Sequence, residues 1–249
     1  MRRHWMWLVL AIAAVALPLV ATPSSAQAQQ GAALGQLPPA LRAAVLSGNS
    51  AAVTQAINTL SAGNPAQAAA LSAQVINAAE QMLATNPQAA VQIAGAALNI
   101  VNQLPVQSSS PNQVMSVITT AARIMVNPAA QQVAPQAVAQ MATTSAQIAS
   151  NPVVYQSNPA AAIQVMANSY AAVTNPTVAA AAPGAAANVT QILNLASQSN
   201  NLNQSNPANA ALIAEILASN TPTDEPDDNQ QNPNPIVTDE NPRDDSSAS

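Results

Sequence analysis

Residues 111–174 read PNQVMSVITTAARIMVNPAAQQVAPQAVAQMATTSAQIASNPVVYQSNPAAAIQVMANSYAAVT. Two apolar stripes cross this stretch. Val114, Ile118, Ala121 and Met125 recur every three or four residues, and so do Ile163, Met166, Tyr170 and Val173. A half-buried strand alternates with a period of two, so these spacings predict amphipathic helices. The alanine that fills the intervening positions raises helix propensity throughout. Between the stripes the chain is punctuated by Asn127-Pro128, Asn151-Pro152 and Asn158-Pro159, with Ser110-Pro111 in the same role. Asn or Ser supplies an N-cap oxygen, and proline fits the first helical position, where no amide hydrogen bond is lost. The same pair ends the preceding helix, because a residue before proline avoids the α region.

The pattern extends in both directions. Further Asn-Pro pairs stand at 64–65, 86–87, 175–176 and 206–207. Leu71, Val75, Ala79 and Met82 form an earlier stripe, widened by Ile76 and Leu83, and Val189, Ile192 and Ala196 form a later one. Several landmarks share a spacing of 48 residues. Gln156-Ser157-Asn158-Pro159 returns as Gln204-Ser205-Asn206-Pro207, Asn127-Pro128 as Asn175-Pro176, and Ala134-Pro135 as Ala182-Pro183. The expected fold is therefore all-α, an array of short Ala-rich helices. Its unit is a two-helix repeat of about 48 residues, stacked as an α-solenoid or an irregular helical bundle. Alanine at so many inward positions lets helices approach closely while each contact buries little area, so modest stability is expected.

Composition divides the chain into three parts. Residues 1–28 carry Arg2 and Arg3, an apolar run at 8–21 interrupted by Pro18, and the small-residue sequence Ala26-Gln27-Ala28. That layout is a secretory signal peptide, and the run is shorter than the roughly 20 residues a membrane span needs. Residues 29–220, the helical repeat domain, hold only four charged side chains: Arg42, Glu80, Arg123 and Glu215. Residues 221–249 hold eight acids, Arg243 and five prolines, with little apolar matter beyond Ile236 and Val237. Such a segment buries too little to offset chain entropy and is expected to be a disordered acidic tail. The chain has no cysteine, so an exported core must hold without disulfides.

After signal removal the chain lacks His, Cys, Lys, Trp and Phe. A serine nucleophile then has no histidine base, thiol and Schiff-base chemistry are excluded, and zinc, haem and iron–sulfur centres lose their usual ligands. No P-loop or dinucleotide fingerprint occurs. A glycosidase-type carboxylate pair could draw only on Glu80 and Glu215, which fall at opposite ends of the array. The acidic run Asp224-Glu225-Pro226-Asp227-Asp228-Asn229 lacks EF-hand spacing and its glycine, so it reads as a solubilising tail and not as a calcium site. The tripeptides Asn188-Val189-Thr190 and Asn203-Gln204-Ser205 fit a glycosylation pattern but are assigned no role in an Asn-rich chain. No catalytic, cofactor-binding or metal residue is expected, and no cofactor. Nucleic acid is excluded as a partner by the missing basic footprint.

Of the two tyrosines, Tyr170 lies on an apolar stripe and is expected in the core. Tyr155, between two Asn-Pro breaks, is the candidate for an interaction surface. A nearly uncharged body covered in Gln, Asn, Ser and Thr has little repulsion to keep copies apart, and its amides can bond to each other or to sugar hydroxyls. The functional expectation is an exported, non-enzymatic structural or interaction protein of the bacterial envelope or extracellular matrix. It would act by contact with itself, another envelope protein or a polysaccharide, with no stable membrane span after signal cleavage. The alternative is a soluble periplasmic adaptor or chaperone holding a client on a concave face lined by Leu, Ile and Met.

Overall fold

The computed structural model describes residues 34–219. The signal expected at residues 1–28 and the acidic tail expected at 221–249 lie outside the described residues. Among the described residues there is no strand, and the chain from Pro39 to Ala218 forms fourteen helices. They are α1 (Pro39–Leu46), α2 (Ser50–Ser61), α3 (Pro65–Met82), α4 (Pro87–Val101), α5 (Leu104–Ser109), α6 (Pro111–Met125) and α7 (Pro128–Val133). There follow α8 (Pro135–Ala149), α9 (Pro152–Ser157), α10 (Pro159–Thr174), α11 (Pro176–Ala181), α12 (Ala185–Ser197), α13 (Asn200–Ser205) and α14 (Asn209–Ala218).

The helix starts follow from the Asn-Pro pairs. Asn64 Oδ1 accepts from the amides of Ala66 at 3.0 Å and Gln67 at 3.2 Å, and proline occupies the first helical position. Asn86, Asn127, Asn151, Asn158 and Asn175 cap their helices in the same way. Asn64→Ala is expected to lower the unfolding free energy by about 1 kcal/mol in urea titrations, and Asn64→Asp to restore most of it. Ser110 differs from the expectation. Its side chain makes no capping bond, and its backbone (φ −146°, ψ 57°) matches Ala134 (−142°, 53°), which also precedes a proline. At these two starts the proline's constraint on the preceding residue sets the entry.

The 48-residue unit divides into two similar halves. Pro87, Pro111, Pro135, Pro159, Pro183 and Pro207 are spaced 24 residues apart, and each opens or shortly precedes a long helix. The short helices keep the same step, starting at 104, 128, 152, 176 and 200. A repeat therefore holds one long helix and one six-residue helix, and two such repeats make the 48-residue register. The stretches expected as breaks are helical turns in their own right. Each puts one apolar side chain into the core at a fixed place: Val106, Ala130, Val154, Val178 and Leu202 are all buried.

Successive long helices alternate between two layers. In one, α3 packs on α6, α6 on α10 and α10 on α14. In the other, α2 packs on α4, α4 on α8 and α8 on α12. The short helices line the two edges, with α5, α9 and α13 along one and α7 and α11 along the other. This is the stacked two-layer geometry of an α-solenoid, in which each turn covers the apolar face of the one before. Equivalent positions carry the core from turn to turn. Ile93, Val117, Met141, Val165, Val189 and Ile213, each 24 residues from the last, are all buried. Between them Ala94, Ala97, Ala121, Ala142 and Ala146 are buried without leaving bulk between the layers. Tyr170 is buried as expected.

Candidate functional site

A six-residue helix cannot satisfy the carbonyls left open at the end of the long helix before it. Side chains at one repeat position do so instead. Gln107 Nε2 donates to the Asn102 carbonyl at 3.0 Å, Gln131 Nε2 to that of Met125 at 3.0 Å, and Asn203 Nδ2 to that of Ser197 at 3.0 Å. Tyr155 stands at the same repeat position, and this overturns its reading as a surface residue. It is 0% exposed. Its hydroxyl donates to Asn209 Oδ1 at 3.0 Å and accepts from Asn206 Nδ2 at 3.2 Å. Asn209 in turn donates to the Ala196 carbonyl at 3.0 Å and to Asn203 Oδ1 at 2.8 Å. One phenol thus ties α9 to the last turn of the array. The aromatic ring is apolar enough for the core, and the hydroxyl needs the partner that Asn209 provides.

Burial pushes the Tyr155 phenol above its ordinary range, and the hydrogen bond from Asn206 opposes that in part. The native state therefore holds this proton to higher pH than the unfolded chain does. The associated stability is complete below the unfolded value of about 10 and is lost as pH rises through the folded value. Urea midpoints are expected to fall above pH ~10, and Tyr155→Phe is expected to lessen that alkaline fall.

The two candidate carboxylates of the body are not brought together. Glu80 in α3 is bound by Arg123 in α6, whose Nε lies 2.6 Å from Oε1 and whose Nη2 lies 2.9 Å from Oε2. This hydrogen bond holds the Arg123 guanidinium above its ordinary pKa. Glu215 is exposed on α14, with α6 and α10 between the two helices in the layer. No group of three His, Cys, Asp or Glu side chains that could hold a metal occurs among the described residues. Arg42 is spent locally, donating to the carbonyls of Gly35 at 2.8 Å and Leu37 at 3.0 Å. Asn203, the first residue of one glycosylation-like tripeptide, is engaged in the Asn209 network, and Asn188 of the other is exposed on α12.

Two neighbouring clefts open on the layer formed by α4, α8 and α12. One, of about 190 Å³, is lined by Gln92, Gly95 and Asn99 of α4 and by Gln140 and Thr144 of α8. The other, of about 500 Å³, is lined by Gln136, Gln140, Thr143 and Thr144 of α8 and by Asn188 of α12. Gln140 and Thr144 stand on the ridge between them and line both. Gln92, Gln140 and Asn188 are 48 residues apart, so one exposed amide stands at the same place on three successive helices. No acid or base lines either cleft. On the opposite layer a cleft of about 530 Å³ carries Asn77, Asn112, Ser116, Thr119 and Asn158, with Arg123 at its margin. The polar lining of these three clefts is made of Asn, Gln, Ser and Thr side chains, with Arg123 the one ionisable group among them. Sequence reasoning missed the amide row because Gln and Asn are everywhere in this chain. The 48-residue step was the available signal, had it been applied to exposed positions as well as to prolines.

No family model, curated protein or solved structure matches the chain. Among the described residues, no helix is long and apolar enough to cross a membrane.

Proposed function

We propose that this is an exported, non-enzymatic interaction protein of the cell envelope or extracellular matrix, acting through hydrogen-bonding contact along the face of its solenoid. The carrying observation is the row of exposed amides over α4, α8 and α12, set in clefts without charge. A solenoid repeats such a row at regular intervals and so presents an extended surface to a partner. Low charge in the folded body also favours contact between copies, while the acids at residues 224–245 oppose precipitation. A chaperone face would need clefts lined mainly by Leu, Ile and Met. The exposed large apolar side chains, including Leu46, Leu104, Val153 and Leu195, are instead scattered singly over different helices, which favours the contact reading.

Light scattering coupled to size exclusion, on the mature chain beginning at residue 29, tests the association. The mass is expected to rise with concentration and to change little with salt, because the contacts are uncharged. A strict monomer at the highest soluble concentration overturns self-association. Fractionation of the host that leaves the protein in the cytoplasm overturns export.

A further inference from the structure

Charge is divided unequally between the two layers. Glu80, Arg123 and Glu215 all belong to the layer of α3, α6, α10 and α14, and Arg42 stands on α1 at the end of the array. The layer of α2, α4, α8 and α12 holds no charged side chain. Its outer surface is built from exposed amides, among them Gln92, Gln140, Gln147, Asn188 and Gln191. Interface cores are depleted in charged residues, so this is the layer suited to being covered. Among the described residues, the amide groups of Gln92, Gln140 and Asn188 have no partner within the chain. Tyr155 and Tyr170, the only aromatics among the described residues, are both buried, which leaves no ring on this face for a sugar to stack against.

The relief of the uncharged face is its own complement. Gln140 and Thr144 form a ridge along α8, and the cleft of about 500 Å³ lies directly beside them, between α8 and α12. A two-fold axis perpendicular to the layer, placed between ridge and cleft, seats the ridge of each copy in the cleft of the other. Such an isologous contact uses one patch twice and closes on itself. Gln140 of one copy then meets Gln136, Thr143 and Asn188 of the second, which line that cleft. Each amide carries one group that donates and one that accepts, so the pairing needs no charge.

The area sets the strength. Helices α4 and α8 have 15 residues each, a length of about 22 Å. Three helices spaced about 8–10 Å apart span about 28 Å, so α4, α8 and α12 offer roughly 600 Å² per copy. Stable complexes cover about 800 Å² per partner, which places this contact among the reversible ones.

We propose that the uncharged face over α4, α8 and α12 binds a second copy of this chain, with the Gln140–Thr144 ridge of each seated in the α8–α12 cleft of the other. The inference rests on the reading of this face as a contact surface and names its partner.

Sedimentation equilibrium of the mature full-length chain tests it. The native protein is expected to dimerise reversibly, with the mass levelling at two copies. Gln140→Glu brings two carboxylates within about one helix spacing across the axis, and Gln140→Lys two ammonium groups. Each variant is expected to weaken the dimer at least tenfold, because like charges are set face to face. An equimolar mixture of the two is expected to recover the native dimer fraction, and to lose it as salt is raised. Gln164→Glu, exposed on α10 in the other layer, is expected to leave the dimer unchanged. A native chain that stays monomeric overturns the proposal. So does a mixture no more dimeric than its components, or a Gln164→Glu variant weakened as much as Gln140→Glu. In those last two cases the native chain still associates, so the contact function stands while this face is lost. Masses that grow past two copies overturn the two-fold closure. A monomer whose Gln140 side-chain NH₂ signal shifts on adding dextran overturns the second copy in favour of a polysaccharide.

Discussion

Tyr155→Ala is expected to cost about 3–5 kcal/mol, the range for removing a large aromatic from a packed core. Two losses combine at this site. Truncation leaves a cavity where a fully buried ring filled the space between α9, α13 and α14. It also strips Asn209 and Asn206 of the hydroxyl they share. A solenoid turn is held only by its neighbours, so the damage concentrates in the last turn. Circular dichroism during urea titration should show α12–α14 melting ahead of the rest, where the native protein unfolds in one transition. Tyr155→Phe separates the contributions. It keeps the ring and leaves a buried amide oxygen unpaired, at about 1–3 kcal/mol. A Tyr155→Ala midpoint within experimental error of the native one would falsify the core assignment.

Deletion of residues 87–134 is expected to leave a folded protein. The excised piece spans α4–α7, two 24-residue repeats and hence one whole superhelical turn. The new junction joins Asn86 to Pro135, recreating an Asn-Pro start, and both layers keep their alternation. The helical signal per residue should stay nearly constant. The urea m-value should fall by about a quarter, the share of the described residues removed. Removing only residues 87–110 also creates an Asn-Pro junction, Asn86 to Pro111. It sends α6 into the layer built for α4, however, and turns every later helix to the wrong neighbour. That variant should lose cooperative unfolding. If it behaves like the longer deletion, the two layers are interchangeable and the 24-residue repeat is a full structural unit by itself.

These deletions depend on a periodicity only half visible in the sequence. Local signals carry most of the helix starts. Asn64-Pro65 or Asn158-Pro159 announces a cap through the chemistry of two adjacent residues, and the stripes from Val114 to Met125 announce a buried face. The 24-residue step was hidden because its caps differ. Asn86, Ser110, Ala134, Asn158, Ala182 and Asn206 occupy equivalent places, and the better match between places two apart suggested a doubled unit. Helices such as α7 and α11 are too short for a stripe to register, and in isolation they would not form. Their place is fixed by packing, through Ala130 and Val178.

Tyr155 shows the limit in another way. Its neighbours in sequence are helix breaks, which argues for a surface, while the partner that makes burial tolerable lies 54 residues away at Asn209. The candidate contact face was similarly hidden. Nothing distinguishes Gln92, Gln140 and Asn188 from the other amides until three helices are laid side by side.

The alanine that lines the inter-layer contacts has a thermal consequence. The heat-capacity change of unfolding tracks the apolar area that water newly covers, and alanine contributes little of it per residue. A wall assembled from methyl groups should therefore give a shallow free-energy curve, varying gently between cold and warm surroundings. Tolerance of temperature change then rests less on a high peak of stability than on a broad one.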